Sequence, residues 1–298
     1  MAAVLLFHSG VALTGGFLGV STFFTLSGFL ITSVLLTRSE GSRGIAPGAA
    51  TGDRLQLRTF WSRRFRRLLP AALLGIVLAA TFVARAGDAS QVRAFRADGL
   101  AALLDVANWH FVVEGTSYAS TTASPSPLLH FWSLAIEEQF YLVFPLVAWG
   151  VLRLVRGSRR HFGVVIGVLL VVSASLPRLL DLSNDRVYFG TDTRAAELLA
   201  GALLAVVLAG RGCSIDRIDR RWSRRTWSLC ALAGMAAFEV MLILWWFTSR
   251  ATTWVYAGGL PLYAGLTVLV LVAALTPGNP VRRILSVRPR RPRWWRAT

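Results

Sequence analysis

Two adjacent carboxylates interrupt a long apolar stretch in the middle of the chain. Glu137 and Glu138 lie in the segment 128–149, which is long enough to cross a bilayer and is otherwise largely apolar. An ionised carboxylate within a membrane costs roughly 2.5–3.5 kcal/mol on insertion scales, so acids at this position favour a functional role. The alternative is that both acids lie in the headgroup layer at the mouth of a helix, where water solvates them.

Helical spacing places further polar residues on the same side as one of these acids. Residues three or four positions apart share a face of a helix, and four polar side chains follow that spacing: His130, Ser133, Glu137 and Tyr141. Such a stripe is expected to face neighbouring helices rather than lipid. Glu138 lies about 100° further around the same helix. The segment therefore predicts a polar site inside a helical bundle.

A histidine near the start of the chain is the candidate base. His8 lies in the apolar run 1–13, and an imidazole accepts or releases a proton near neutral pH. A single histidine on an apolar helix is also typical of a hydrogen-bonded core residue. Its spacing alone does not separate these two interpretations.

A basic cluster alternates with aromatic and aliphatic residues in the segment 60–70. Its arginines are Arg63, Arg64, Arg66 and Arg67. This pattern is typical of a basic helix at the membrane interface. The cluster could bind anionic lipid and set the topology, or it could bind the phosphates of a diffusible anion.

The composition identifies a polytopic helical membrane protein. The chain is 54% hydrophobic and 16% charged, whereas soluble proteins have about 25% charged residues. Its net charge of +17 would suit a nucleic-acid partner, but most of the 32 basic residues, all arginines, lie between apolar runs, where they set topology. We therefore expect membrane lipids and no nucleic acid as partners. Cys213 and Cys230, one in a loop and one in an apolar run, indicate neither a disulfide framework nor a metal site.

Eight apolar runs are predicted to cross the membrane, namely 1–13, 17–36, 68–84, 129–152, 162–180, 194–209, 227–247 and 255–275. The run 100–113 contains Asp105, Asn108 and His110, and counting it as a crossing would scatter the arginines over both sides. We therefore predict an all-α membrane bundle of about eight transmembrane helices. The run 100–113 is expected to be re-entrant or interfacial on the outer side, with the N-terminus of the chain in the cytoplasm.

This topology predicts where the candidate groups lie. His8, Glu137 and Glu138 come out in the outer half of the membrane, whereas the arginine cluster at 63–67 lies on the inner face. A base and two acids on one side and an anion-binding surface on the other predict an enzyme. It would move an activated group from a cytoplasmic donor to an acceptor outside.

Five sequence blocks in the same order resemble the acyltransferase 3 family of bacterial integral-membrane O-acyltransferases. They are Phe7-His8, 15–31, 60–70, 129–142 and 192–201. The resemblance implies transfer of an acetyl or other short acyl group to a hydroxyl of an extracytoplasmic carbohydrate or lipid. Acyl-CoA would be the co-substrate, with no bound cofactor and no metal, and the location would be the bacterial plasma membrane.

The resemblance also assigns roles to residues. His8 would deprotonate the acceptor hydroxyl, which attacks the thioester carbonyl, while Glu137 or Glu138 orients the imidazolium. Whether an acyl-histidine forms first stays open. The expected residues that bind substrate or acyl-CoA are Arg63, Arg64, Arg66, Arg67, Ser27, His130, Ser133, Tyr141, Asp192 and Arg194. Asp192 and Arg194 could pair with each other or complete the site.

Two departures from the family pattern concern the ends of the chain. The family places an arginine upstream of the histidine, and this sequence has none before His8. The segment 290–298 is a basic tail where the family has further helices. We therefore expect an incomplete acyltransferase domain at 1–289, truncated at both ends, and an aberrant tail at 290–298. The alternatives are an inactive copy that acts as a membrane scaffold, and a transporter, although the paired repeats usual in transporters are not found.

Overall fold

The protein is a bundle of α-helices. The computed structural model describes residue 4, residues 6–7 and the ranges 13–42, 52–117, 126–210 and 224–275. The ten α-helices in these ranges are α1 (Gly19–Ser42), α2 (Gly52–Ala86), α3 (Ala89–Leu103), α4 (Ala107–Val113), α5 (Phe131–Leu154), α6 (Arg159–Leu179), α7 (Asn184–Phe189), α8 (Thr191–Gly210), α9 (Arg224–Phe247) and α10 (Leu260–Leu275). A 3-10 turn at Gly16–Leu18 precedes α1, and a π turn at Val255–Gly259 precedes α10. The predicted all-α membrane fold is confirmed.

Six helical segments in the described ranges are long and apolar enough to cross a membrane. They are Gly16–Thr37, Leu57–Ala86, Phe131–Leu154, Arg159–Leu179, Ser228–Phe247 and Val255–Leu275. Each of them overlaps a predicted span, although Leu57–Ala86 begins eleven residues before the predicted span 68–84. The predicted span 194–209 forms most of α8, which is 20 residues long but has Asp192, Arg194 and Glu197 in its first two turns. The predicted span 1–13 lies largely outside the described residues.

The basic cluster and the third span form one continuous helix. We expected an interfacial helix at 60–70 and a separate span from residue 68, but α2 runs without interruption through 35 residues. Pro70 does not end the helix. A proline removes its own amide donor and its ring crowds the carbonyl four residues earlier, but membrane helices tolerate such a break, and the arginine, leucine and alanine around it have high helical propensity.

The polar run 100–113 is divided between two short helices. α3 ends at Leu103, Asp105 adopts a left-handed conformation with φ of 53°, and α4 begins at Ala107. α3 has 15 residues and α4 has 7. At 1.5 Å per residue both are shorter than the ~30 Å apolar layer. This agrees with the expectation that the run does not cross the membrane.

α1 and α8 cross at close contact in the centre of the bundle. A Cβ added to Gly28 would overlap the carbonyl oxygen of Leu198, and one added to Gly201 would overlap that of Thr25. Small residues at a crossing allow two membrane helices to approach backbone to backbone. α8 also packs against α6 and α10, so the core of the bundle lies around it.

α2 packs antiparallel to α5 at the edge of the bundle. Trp61 contacts Tyr141 in the middle of α5, whereas a Cβ on Gly75 would lie 3.5 Å from the ring of Phe131 at the start of α5. The opposite face of α2 is apolar and exposed, with Leu69, Leu73, Leu74, Val77, Leu78 and Phe82 on it. This face is suited to contact with lipid tails.

Gly201→Ala is expected to lower the thermal stability of the detergent-solubilised protein. The new methyl group meets backbone atoms of α1, which cannot move aside as a flexible side chain does, and overpacking of this kind costs about 1–3 kcal/mol. Gly167→Ala on α6 is the matched control, because nothing lies within 4 Å of the added methyl group there. The control should leave the unfolding temperature unchanged or raise it slightly, since alanine favours helix. Equal unfolding temperatures for the two variants would show that the crossing tolerates a larger residue.

Candidate active site

Three helices meet at the two carboxylates of α5. Ser27 of α1 donates a hydrogen bond to Oε1 of Glu137 at 2.9 Å. Arg64 of α2 donates from Nε and Nη2 to Oε1 of Glu138, both at 3.2 Å, and its Nη2 lies 3.8 Å from Oε2 of Glu137. The guanidinium lies 3.3 Å from the ring centroid of Tyr141. We call Ser27, Arg64, Glu137, Glu138 and Tyr141 the Glu–Arg cluster.

The Glu–Arg cluster is largely buried and carries an excess of acid. The side chains of Arg64, Glu137 and Glu138 are 24%, 18% and 10% exposed. One guanidinium faces two carboxylates, so the ionised cluster has a net negative charge. An uncompensated charge in a poorly solvated place costs free energy, and it is typical of sites that perform chemistry. Both acids therefore have partners on other helices, whereas the alternative expected them to be solvated by water alone.

A proline in α5 creates one of the bonds that hold α2 against the cluster. Pro145 lacks an amide hydrogen, so the carbonyl four residues earlier, that of Tyr141, loses its helical donor. The indole Nε1 of Trp61 donates to this carbonyl at 3.0 Å. Because Trp61 and Arg64 are one turn apart on α2, the bond fixes the height of Arg64 against Glu138.

The predicted polar stripe on α5 is realised in part. Glu137 and the buried Tyr141 belong to the Glu–Arg cluster. Ser133 instead donates to the carbonyl of His130 at 3.3 Å, and the side chain of His130 is exposed just before the start of α5. The structure thus brings two of these four residues to the cluster.

The arginines and the acids are not on opposite sides of the membrane. That prediction is wrong for Arg64, which contacts both Glu137 and Glu138. The reason is that α2 continues through the basic segment and brings it beside α5, about 10 Å along α5 from its start. The other three arginines, Arg63, Arg66 and Arg67, are exposed. They share a face of α2 centred about 100° from Arg64.

Asp192 and Arg194 do not pair with each other. Asp192 accepts two hydrogen bonds from Arg186, both at 2.8 Å, and the Arg186 guanidinium lies 4.6 Å from the ring centroid of Trp109. Arg194 forms an ion pair with Glu197 at 2.8 Å, and both side chains are 1% exposed. Glu197 and Arg186 were not predicted from the sequence as members of a site. The three-residue spacing of Arg194 and Glu197 would have indicated their pairing, because such residues share a helical face.

A partly buried amide network, also not predicted from the sequence, connects α4, α5 and α8. Gln139 donates to Oδ1 of Asn108 at 2.9 Å and to the carbonyl of Asp105 at 2.7 Å. Thr191 donates to Oε1 of Gln139 at 2.5 Å, and Asn108 donates to the carbonyl of Phe189 at 3.0 Å. No local spacing predicts these bonds, because their partners are distant in the chain. The network fixes the break between α3 and α4 next to Glu138.

The candidate base His8 lies outside the described residues, as does the tail at 290–298. The residue before it, Phe7, packs against Phe17 with ring centroids 5.9 Å apart. Val4 lies against Gly19 at the start of α1. The role of His8 stays a prediction.

Comparison with known families identifies the class of protein. Residues 1–288 match the family model described as an acyltransferase domain, acyltransferase 3. The chain therefore belongs to the acyltransferase 3 family, and the resemblance of the five sequence blocks is confirmed.

The individual relatives are longer proteins. The chain is 35% identical over 292 residues to the peptidoglycan O-acetyltransferase OatA of Listeria monocytogenes, and the matched region covers 97% of this chain and 44% of the relative. It is 37% identical over 281 residues to the putative peptidoglycan O-acetyltransferase YrhL of Bacillus subtilis, covering 93% and 42%. It is 32% identical over 290 residues to the O-acetyltransferase OatA of Staphylococcus aureus, covering 96% and 45%. The chain thus spans less than half the length of these relatives. No solved structure shows a significant match.

Trp61→Phe is expected to destabilise the protein by about 1–3 kcal/mol, because it leaves the Tyr141 carbonyl without a donor. Pro145→Ala restores an amide hydrogen four residues after that carbonyl. Trp61→Phe should therefore cost less in the Pro145→Ala background. Thermal unfolding of the four proteins in detergent gives the coupling between the two positions. Equal costs in both backgrounds would contradict the account of this bond.

Proposed function

We propose that this protein is a membrane O-acyltransferase that transfers an acetyl or other short acyl group from acyl-CoA to a hydroxyl of an extracytoplasmic carbohydrate. The observation that carries the proposal is the Glu–Arg cluster. It joins Ser27, Arg64 and the two acids of α5, which come from three of the five family blocks, in one buried place. Two of the relatives are named as peptidoglycan O-acetyltransferases, one of them putatively, which makes peptidoglycan the first acceptor to test.

The proposed reaction is acyl transfer by general base catalysis. His8 takes the proton from the acceptor hydroxyl, and the hydroxyl oxygen attacks the carbonyl carbon of the thioester. The tetrahedral intermediate breaks its C–S bond, the CoA thiolate leaves and takes up a proton, and an ester remains on the acceptor. Glu137 or Glu138 stabilises the positive charge on the imidazole.

The donor phosphates are assigned to the exposed arginines of α2. Arg64 already faces two carboxylates, whereas Arg63, Arg66 and Arg67 present their charge to solvent. Arginine-rich linkers between spans are typical of the cytoplasmic side of a membrane, which supports a donor on that side. The proposed location is the bacterial plasma membrane, with the N-terminus of the chain in the cytoplasm. Arg159 at the start of α6 donates to the carbonyl of Ala209 near the end of α8 at 2.7 Å, so the start of α6 and the end of α8 lie at the same end of the bundle.

Membranes that contain the full chain, supplied with labelled acetyl-CoA and peptidoglycan, are expected to transfer label to the glycan. His8→Ala should lower the rate by about 10²–10⁴-fold, the usual effect of losing a general base. Glu138→Gln keeps the size of the side chain and removes its charge, and should lower the rate roughly tenfold or more. Glu114→Gln, at an exposed acid after α4, is the matched control.

Each contrary result has a distinct meaning. Wild-type transfer by His8→Ala would remove His8 as the base. Accumulation of a solute without transfer of label would indicate a transporter. A folded chain that neither transfers label nor moves a solute would indicate a scaffold.

Replacing the exposed arginines Arg63, Arg66 and Arg67 by glutamine is expected to raise KM for acetyl-CoA, because the donor phosphates lose charge-assisted hydrogen bonds. The difference from wild type should shrink as salt is added, since exposed charges are screened within about 10 Å at 0.1 M salt. Arg93→Gln with Arg96→Gln, at two exposed arginines of α3, is the matched control and should leave KM unchanged. A lower kcat at unchanged KM would contradict a role in binding the donor.

A further inference from the structure

A pocket opens beside the Glu–Arg cluster. It lies between α2, α5 and the break that separates α3 from α4, and its volume is about 240 Å³. Its polar lining includes Asp105 and Glu138, and its aromatic lining includes Trp61 and Phe65. A concave site that combines apolar rings with a few polar groups is typical of a small-molecule site.

The charge of the pocket favours hydroxyl groups over phosphates. Two carboxylates, those of Asp105 and Glu138, line it together with one guanidinium, that of Arg64. The guanidinium is already bonded to Glu138, so the pocket presents an excess of negative charge. Carboxylates accept hydrogen bonds from hydroxyl donors and repel anions. The pocket is therefore poorly suited to the phosphates of a nucleotide donor and well suited to a neutral polyol.

Asp105 lies at a left-handed turn between α3 and α4. Its φ of 53° lies in the left-handed region, which aspartate and asparagine adopt more readily than other residues with a side chain. Gln139 donates to the Asp105 carbonyl at 2.7 Å and fixes this turn. Burial raises the pKa of the Asp105 carboxyl, and hydroxyl donors from a ligand would offset that effect by stabilising its ionised form.

We propose that this pocket binds a sugar ring of the acceptor, with Asp105 and Glu138 accepting hydrogen bonds from its hydroxyls. The rings of Trp61 and Phe65 pack against the apolar face of the sugar. The assignment rests on the proposed function, because it names which of the two reactants lies next to the Glu–Arg cluster. It makes Asp105 a residue that determines acceptor specificity.

Binding of chitotetraose, a neutral β-1,4-linked tetramer of N-acetylglucosamine, to the full chain in detergent tests the proposal. Asp105→Asn is expected to raise the Kd for this probe about tenfold, the loss of one hydrogen bond to a charged group. The Kd for acetyl-CoA, measured separately, should not change. Asparagine tolerates the left-handed conformation, so the variant should keep its fold. Phe65→Ala, at a half-exposed ring of the pocket, should weaken glycan binding as well.

Asp181→Asn is the matched control, because Asp181 is an exposed aspartate with φ of 46° on the turn after α6, outside the pocket. It should leave both Kd values at the wild-type level. A wild-type chain that does not bind chitotetraose would overturn the proposal, as would an unchanged Kd for the probe in Asp105→Asn. A rise confined to the Kd for acetyl-CoA would assign the pocket to the donor instead. Because binding is measured without turnover, a chain that binds the glycan but transfers no acetyl group would refute only the proposed function.

Discussion

The contact of one guanidinium with two carboxylates is the constraint on which the arrangement of this bundle depends. Arg64 comes from α2, and Glu137 and Glu138 come from α5, so neither helix can shift or rotate without separating buried charges. Breaking a buried ion pair by removing one partner costs about 3–5 kcal/mol, far more than a contact on the surface is worth. Ser27 adds α1 to the same contact through its hydrogen bond to Glu137. Three helices that share few other contacts are thereby held in one register.

The rest of the bundle holds these three helices at the required distances. The close crossing of α1 and α8 at Gly28 and Gly201 sets the depth of Ser27, and the bond from Trp61 to the Tyr141 carbonyl sets the height of α2. On the other side of α5, Gln139 ties the break at Asp105 to α8 through Thr191. These contacts depend on features of the backbone rather than on additional buried apolar area. The features are the absent side chains of Gly28 and Gly201, the absent amide hydrogen of Pro145 and the left-handed conformation of Asp105. This is expected in a membrane, where apolar surface gains little by leaving lipid and close packing and hydrogen bonds determine the structure.

The sequence predicted the elements better than it predicted their contacts. Hydropathy and length located the spans because the thickness of a bilayer imposes them, and the cost of a carboxylate in lipid pointed to Glu137 and Glu138. Arginine bias misplaced Arg64, because that rule describes loops and cannot recognise an arginine that continues into a span. Periodicity proposed Ser133 as a member of the site, although its hydroxyl donates to the carbonyl of His130, just before its own helix. The partners of Gln139 were beyond any local rule, because only the folded chain brings α4 and α8 together.

The arrangement of charge on α2 explains how one helix could serve both reactants. On the face toward α5, two carboxylates offset the charge of the Arg64 guanidinium, so the electrostatic potential at a distance is weak or negative. A neutral sugar therefore meets little electrostatic cost when it binds on that face. The face with Arg63, Arg66 and Arg67 is exposed and unmatched by the acids of α5, so it attracts phosphates. Arginine suits both settings because its planar fork can bond carboxylates and phosphates alike, and the neighbours of each arginine decide which of the two it meets. In the proposed reaction the donor and the acceptor therefore bind to different faces of the same two turns of α2. The thioester of the donor then extends around α2 to the hydroxyl of the acceptor. Separation of the reactants by charge in this way does not require binding sites at opposite membrane faces.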